Sequence, residues 1–413
     1  MCTKEEIFSD IQKILKEDYA GYLDKRDINH PEDYTISNDM SDREFEETIQ
    51  DYLLDFHDGH LGFTAINSEL PHAGFFVRRF ESDLYVTNSP QEKRLFVGDK
   101  IIQIDGKSIE ELALKCYKRL EEKLPERQQW DSIIRRSKKV LVERDGDHFE
   151  LSLANYEPLP YQGTHIFKQL DPITAYIKLT DFAEEAPIQR LIHDNREALE
   201  QSENLIIDVR VNLGGNDAFY FHLLHFLFDQ DIPFPDLFAN DEVMYTNYTN
   251  YTNRNCRLYI QEMKEYLNQE LDDSTKDMIK GEIDLFEQNH GKGLVEVPED
   301  TDFMINGRAN PAHIFVLSDY YCGSSGDTFV SNAKKSPKVT VVGRPTMGIM
   351  DYFNVVTVDY GDYEFIYGIS KMHQNYSING QGIEPHIYIP WTPAHLKEDK
   401  DLAYVLEKIQ NDL

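Results

Sequence analysis

The segment Cys322-Gly323-Ser324-Ser325-Gly326-Asp327-Thr328-Phe329 stands between an apolar run, Ile314-Phe315-Val316-Leu317, and a stretch of helical periodicity from about Ser325 to Lys334. A serine at a strand-to-helix turn gains an exposed side chain. The N–H groups that follow it, with the positive end of the helix, stabilise negative charge developing on a nearby oxygen. That is the chemistry of acyl transfer. Ser324 is the candidate nucleophile, and Ser325 is both its local competitor and the donor of an adjacent N–H. A helix cap without chemistry is the other reading of the same residues.

Two further segments could complete such a site. Asp208-Val209-Arg210-Val211-Asn212-Leu213-Gly214-Gly215-Asn216 follows a second apolar run, Leu205-Ile206-Ile207. Paired glycines there permit positive φ and close backbone approach, so Gly214 and Gly215 are candidate oxyanion donors; a plain tight turn is the alternative. Asp58-Gly59-His60 supplies an imidazole, the side chain whose ordinary titration range suits a general base. His57 competes with His60 for that role.

The elements that must position these residues follow from periodicity. Ile7, Ile11, Ile14 and Leu15, then Phe45, Ile49, Tyr52, Leu53 and Phe56, recur at helical spacing and predict a helical N-terminal unit ending at the Asp-Gly-His segment. Between Gly74 and about Tyr156 short strands surround one helical stretch. From Ala175 strand and helix alternate, which predicts βαβ units with functional residues at the carboxyl ends of strands. Residues 233–310 interrupt that alternation; the repeat Tyr245-Thr246-Asn247 through Asn253 within them reads as a loop, and the whole insertion as a lid or a passive excursion.

Val97-Gly98-Asp99-Lys100-Ile101-Ile102-Gln103-Ile104-Asp105-Gly106-Lys107-Ser108-Ile109 resembles the core of a PDZ domain. In chain order, Asp58-Gly59-His60, this PDZ-like insert, Arg210-x-Asn212-x-Gly214-Gly215, Ser324-Ser325-Gly326-Asp327, Val342-Gly343-x-x-Thr346-x-Gly348 and Gly382-Ile383-x-Pro385 together resemble the S41 peptidase family. The likeness runs over residues 45–390 outside the insertion.

The resemblance implies an α/β fold with a crotonase-like (ClpP-like) βαβ core. Its parts would be a helical unit over 1–72, a PDZ-like domain over 73–160, the peptidase core over 161–395 and a C-terminal helix over 396–413. The family's nucleophile falls on Ser324 and its adjacent oxyanion donor on Ser325. The lysine base of the processing-peptidase branch falls on Ile349, so that mechanism is not carried over; the histidine of the tricorn-like branch falls on His60. A serine often precedes that histidine, where this chain has Gly59. The glutamate before the closing Gly-Ile-x-Pro falls on Asn379, which makes Asn379 the candidate that orients the imidazole, with Glu384 and Asp351 the nearby acids for the same role. Lys334, Lys335 and Lys371 are the alternative amine bases.

Composition bounds the rest. With 74 acidic against 42 basic residues the net charge is −32, which repels nucleic acid and anionic membranes. Four scattered cysteines without CxxC spacing argue against structural zinc and a disulfide framework. The first residues enter a helical pattern without the apolar stretch of an export signal, so a cytoplasmic location is expected. The expectation is a serine peptidase without metal or organic cofactor, acting on peptides or unfolded protein tails, neutral or basic ones above all. Its oligomeric state is left open, a homo-oligomer included. The rivals are a noncatalytic peptide- or lipophilic-ligand-binding member of the same fold and a small-acyl esterase or amidase.

Overall fold

The computed structural model describes residues 2–66, 72–120, 124–238, 242–248, 261, 263–265, 267–268, 273–297, 303–373 and 377–412. They form two units, one of residues 1–68, 238–301 and 349–377, the other of 69–237, 302–348 and 378–413.

In the first unit the helix Lys4–Glu17 starts at a capping box of Thr3 and Glu6, and the helix Asp42–Leu53 at one of Ser41 and Glu44. Their apolar faces, Ile7, Ile11, Ile14 and Leu15 on one and Phe45, Ile49, Tyr52 and Leu53 on the other, are buried in a single core. That core is closed by an antiparallel sheet running Gly62–Ala65, Tyr363–His373, Val243–Asn247, Leu294–Val297, with Tyr352–Asp359 paired along the long central strand. The residues read from sequence as a helical unit therefore share their core with strands from two distant stretches.

The Tyr-Thr-Asn repeat begins as strand, not loop. Val243–Asn247 pairs on both sides, Thr246 and Asn247 are buried, and the Thr246 and Ser370 hydroxyls meet at 2.7 Å. Threonine and tyrosine suit a pleated surface, and pairing satisfies the polar residues between them. The remainder of the repeat, residues 249–253, lies outside the described residues.

The second unit holds two six-stranded sheets among its described residues. One is antiparallel, ordered Phe76–Phe80, Asp83–Asn88, Lys100–Ile104, Lys139–Arg144, Asp147–Ser152, with the short strand Lys107–Ser108 joined to Lys100–Ile104 by the turn at Asp105 and Gly106. Both turn residues have positive φ, 48° and 77°, the conformation of a two-residue hairpin and the reason for Asp-Gly there. The other sheet is ordered Ile387–Tyr388, Val339–Gly343, His313–Ser318, Asn204–Asp208, Thr174–Leu179, His165–Asp171, parallel throughout except for the last strand. Its central strands are buried on both faces, and the C-terminal helix Lys400–Asp412 covers Ile206, Phe315, Leu317 and Val342 with Val405 and Ile409. The carboxyl ends of the two middle strands lead into the two glycine- and serine-bearing segments singled out above. The chain is thus a mixed α/β protein.

Candidate active site

The segment of the candidate nucleophile Ser324 is built in the second unit. The strand His313–Ser318 runs into Asp319 and Tyr320, then Tyr321–Cys322, which pairs in parallel with Val211–Asn212. Gly326 N–H closes a turn onto the Gly323 carbonyl at 2.9 Å, and Ser324 occupies the corner with φ 56° and ψ −125°. These are the angles of the first central residue of a type II′ turn, where glycine is usual. For a serine the conformation costs of order 1–3 kcal/mol, so surrounding contacts must enforce it.

Those contacts are visible. Asp327, with none of its surface exposed, accepts the Ser324 N–H at 3.0 Å on Oδ2 and the Gly348 N–H at 2.9 Å on Oδ1. Arg127, also buried, donates to the carbonyls of Thr346 at 2.9 Å and Met347 at 3.0 Å, fixing the loop that presents Gly348. Asn212 is the second anchor: its amide donates to Leu179 O, its Oδ1 takes the Gly214 N–H at 3.0 Å, and its carbonyl accepts the Gly323 N–H at 2.9 Å.

The glycine turn touches the serine. A Cβ built on Gly214, φ 77°, would stand 2.6 Å from Ser324 Cβ and 3.1 Å from Ser324 Oγ, and one on Gly215 would meet Phe182 O at 2.0 Å. Ser325 Oγ donates to the Gly215 carbonyl at 2.8 Å, tying the two segments. Of the donors read from sequence, the Gly214 N–H is committed to Asn212. Among the described residues the backbone N–H groups of Gly215 and Ser325 carry no internal hydrogen bond. Cys322, buried beside them, has its thiol pushed well up by burial and by the charges of Asp327, Asp319 and Asp208, which leaves it an inert packing group.

The histidine segment is built in the first unit. His57 takes a left-handed φ of 48° at the end of the short helix Leu54–Phe56 and is exposed, so the chain turns and buries Asp58 instead. Asp58 Oδ1 accepts the His60 N–H at 2.9 Å, closing an Asx turn. Gly59 is required there because a Cβ would meet Ile349 Cγ2 at 2.6 Å. The half-buried His60 ring holds its Nδ1 2.6 Å from the carbonyl of Tyr352. A carbonyl can only accept, so Nδ1 carries the proton and the neutral ring keeps its lone pair on Nε2.

The structure thus brings Ser324, Ser325, Gly214 and Gly215 together. The group holding His60 Nδ1, sought in side chains, is a main-chain carbonyl. Asn379 lies half-buried in the turn between Ile378 and Gly380, where Gly380 N–H reaches Gly348 O at 3.0 Å; Glu384 is exposed and its carbonyl accepts from Lys334. Asp351 accepts from Ser377 Oγ, and Lys371 pairs with Asp24 at 2.7 Å. The positioning roles of Asp327 and Asn212 were not read from sequence, although an acid three residues after a serine at a helix start is the spacing of a capping box. Among the described residues no cluster of His, Cys, Asp and Glu has metal-site geometry, and no helix is long and apolar enough to cross a membrane.

The sequence profile of Peptidase family S41 matches residues 173–389, just over half of the chain, spanning both the glycine turn and the serine elbow. The chain belongs to peptidase family S41. It is a serine-type peptidase. Among solved structures, mature CPAF complexed with lactacystin is similar at 14% identity with a TM-score of 0.65, over 98% of this chain and 97% of that one. A CPAF serine-to-alanine mutant is similar at 14% identity and TM-score 0.68, over 97% and 95%. At such identity these likenesses show the fold. No curated protein sequence matches the chain.

Proposed function

We propose that this S41 peptidase cleaves peptides or unfolded protein tails through an acyl-enzyme on Ser324, with His60 as the general base. The observation that carries the reading is the left-handed backbone of Ser324 at the head of the helix Ser325–Lys334. A non-glycine residue held there needs a reason, and a nucleophile at a strand-to-helix turn is one. Ser324 Oγ attacks the scissile carbonyl carbon while its proton passes to His60 Nε2. The oxygen that becomes negative is received by the N–H groups of Gly215 and Ser325, neither of which has an internal partner among the described residues. Collapse then expels the amine with the proton from His60, and water repeats the sequence to release the acyl group.

The antiparallel sheet around Lys100–Ile104 supports the PDZ-like reading of residues 73–160, since an exposed strand edge can bind an extended peptide by backbone pairing. Recognition of a substrate's terminal carboxylate would belong to that region.

The test is labelling with a fluorophosphonate probe. Native protein reacts at Ser324, Ser324→Ala does not react, and His60→Ala reacts orders of magnitude more slowly. Labelling that persists in Ser324→Ala would sink the assignment.

A further inference from the structure

We propose that Asp58, held by Tyr19, is the carboxylate that orients His60 and steadies its protonated form during turnover. The inference rests on the Ser324 and His60 reading above and supplies the supporting group for which the sequence offered Asn379, Glu384 and Asp351.

Asp58 is 7% exposed and sits two residues from the base. Its two oxygens divide their work: Oδ1 accepts the His60 main-chain N–H at 2.9 Å, and Oδ2 accepts the Tyr19 hydroxyl at 2.7 Å. Tyr19 is fully buried, and its ring lies against that of Tyr352, centroids 5.1 Å apart. Tyr352 is the residue whose carbonyl holds His60 Nδ1. The four residues therefore close a ring, Asp58 to His60 to Tyr352 to Tyr19 and back to Asp58. Each imidazole constraint, the backbone anchor and the Nδ1 acceptor, depends on the other through the tyrosine pair.

A buried carboxylate is costly unless its charge is used or compensated. Burial raises the Asp58 carboxyl, while the hydrogen bonds from the His60 N–H and Tyr19, and the positive charges of His60 and Lys25, act in the opposite sense. Tyr19 is itself raised, by burial and by Asp58, so it stays a proton donor to that oxygen. Among the described residues the groups facing the carboxylate are Tyr19, His60, Lys25 and Tyr352, with Asp24 acting on both tyrosines. When His60 takes the serine proton, the Tyr352 carbonyl offers the imidazolium only a dipole. Asp58 offers a full negative charge. Because it grips the main chain rather than the ring, its contribution is smaller than that of a carboxylate bonded to the imidazole itself.

The experiment compares Asp58→Asn, Tyr19→Phe and the double variant in the full chain, measuring kcat, KM, the pH dependence of kcat/KM and the thermal midpoint with one peptide substrate. Asp58→Asn is expected to lower kcat about tenfold to a hundredfold with KM within about twofold. Removing an anion beside His60 makes the ring harder to protonate, so the acid limb of kcat/KM moves to lower pH. Tyr19→Phe should show a smaller loss of the same kind, and the double variant no more loss than Asp58→Asn alone. If both single variants lower only the thermal midpoint, leaving kcat and the acid limb where they were, the role is structural and the proposal is overturned. Should Asp58→Asn not fold, Tyr19→Phe alone decides, since it keeps the ring and removes one hydroxyl. An active His60→Ala protein would instead overturn the base assignment itself, a separate outcome.

Discussion

The fully buried carboxylate of Asp327 accepts the N–H of Ser324 at 3.0 Å, and with its other oxygen takes the N–H of Gly348 at 2.9 Å. One side chain thus fixes both the strained corner and the loop behind it. An amide at 327 can accept with only one of its two atoms, leaving one buried N–H facing an NH2 group. The cost of such a buried donor, about 1–3 kcal/mol, corresponds to roughly a fivefold to hundredfold effect if it is felt at the elbow. Asp327→Asn is expected to lower kcat within that range and to slow fluorophosphonate labelling in parallel, with KM little changed. Unaltered labelling would mean that the elbow holds its shape without Asp327.

Gly59 and Ile349 make a second testable pair. The branched Cγ2 of Ile349 would lie 2.6 Å from a Cβ on Gly59. Gly59→Ser is therefore expected to disturb the His60 loop and cut activity. Overpacking of this kind costs about 1–3 kcal/mol. Ile349→Ala should relieve it, so the double variant recovers a large part of the loss. A double variant no better than Gly59→Ser would show that the defect lies elsewhere.

These pairs show what a sequence exposes. The strand-to-helix turn that carries Ser324 was legible because an apolar run followed by small residues and a helical period is a local signal; so were the two N-terminal helices, whose caps and apolar spacing are local too. The Asp105 and Gly106 turn was legible for the same reason. Tyr352 was not, because it acts on His60 through a carbonyl, which every residue possesses, across 292 positions of chain. The strand Val243–Asn247 was hidden by its repeating polar composition, since its pairing with Ser370–His373 exists only in the fold. Asp58 stood in plain view beside His60, yet its partner Tyr19 lies 39 residues away, so proximity in sequence gave no reason to assign it a role.

Ser325 was read from sequence as the donor of an N–H next to Ser324 and as its rival. In the structure its hydroxyl is buried and donates to Gly215 O at 2.8 Å, joining the glycine turn to the head of the helix Ser325–Lys334. Ser325→Ala is expected to lower kcat about fivefold to tenfold, the effect of about 1 kcal/mol for one neutral hydrogen bond. Gly214→Ala, whose methyl would press on Ser324 Cβ at 2.6 Å from a left-handed backbone, should abolish activity. Ser325→Ala falling as far as Ser324→Ala would instead make Ser325 a rival nucleophile.

Acid should unfold the second unit through a network that begins five residues before Ser324. Asp319 receives both terminal nitrogens of Arg78 at 2.7 Å and one from Arg344 at 2.8 Å; Asp401, on the C-terminal helix, receives two from Arg344 at 2.6 and 2.7 Å. All four side chains are buried. Burial alone would raise both acids, but Arg78 and Arg344 hold Asp319 far below the carboxylate range, and hydrogen bonds from His395 and Arg344 with the Arg344 charge bring Asp401 from 3.8 down to about 2. A folded value below the unfolded one means that the acid's contribution is complete above about 4 and is lost as pH falls through about 2. For Asp401 the difference corresponds to about 2 kcal/mol, and Asp319 persists to still lower pH. Urea melts between pH 6 and pH 2 should therefore lose stability below about pH 4 in the native chain. Asp401→Asn should be less stable at pH 6, because it leaves Arg344 short of a buried counter-charge, and should show a shallower decline toward pH 2. Parallel acid profiles for the native and Asp401→Asn chains would place the acid sensitivity in other carboxylates.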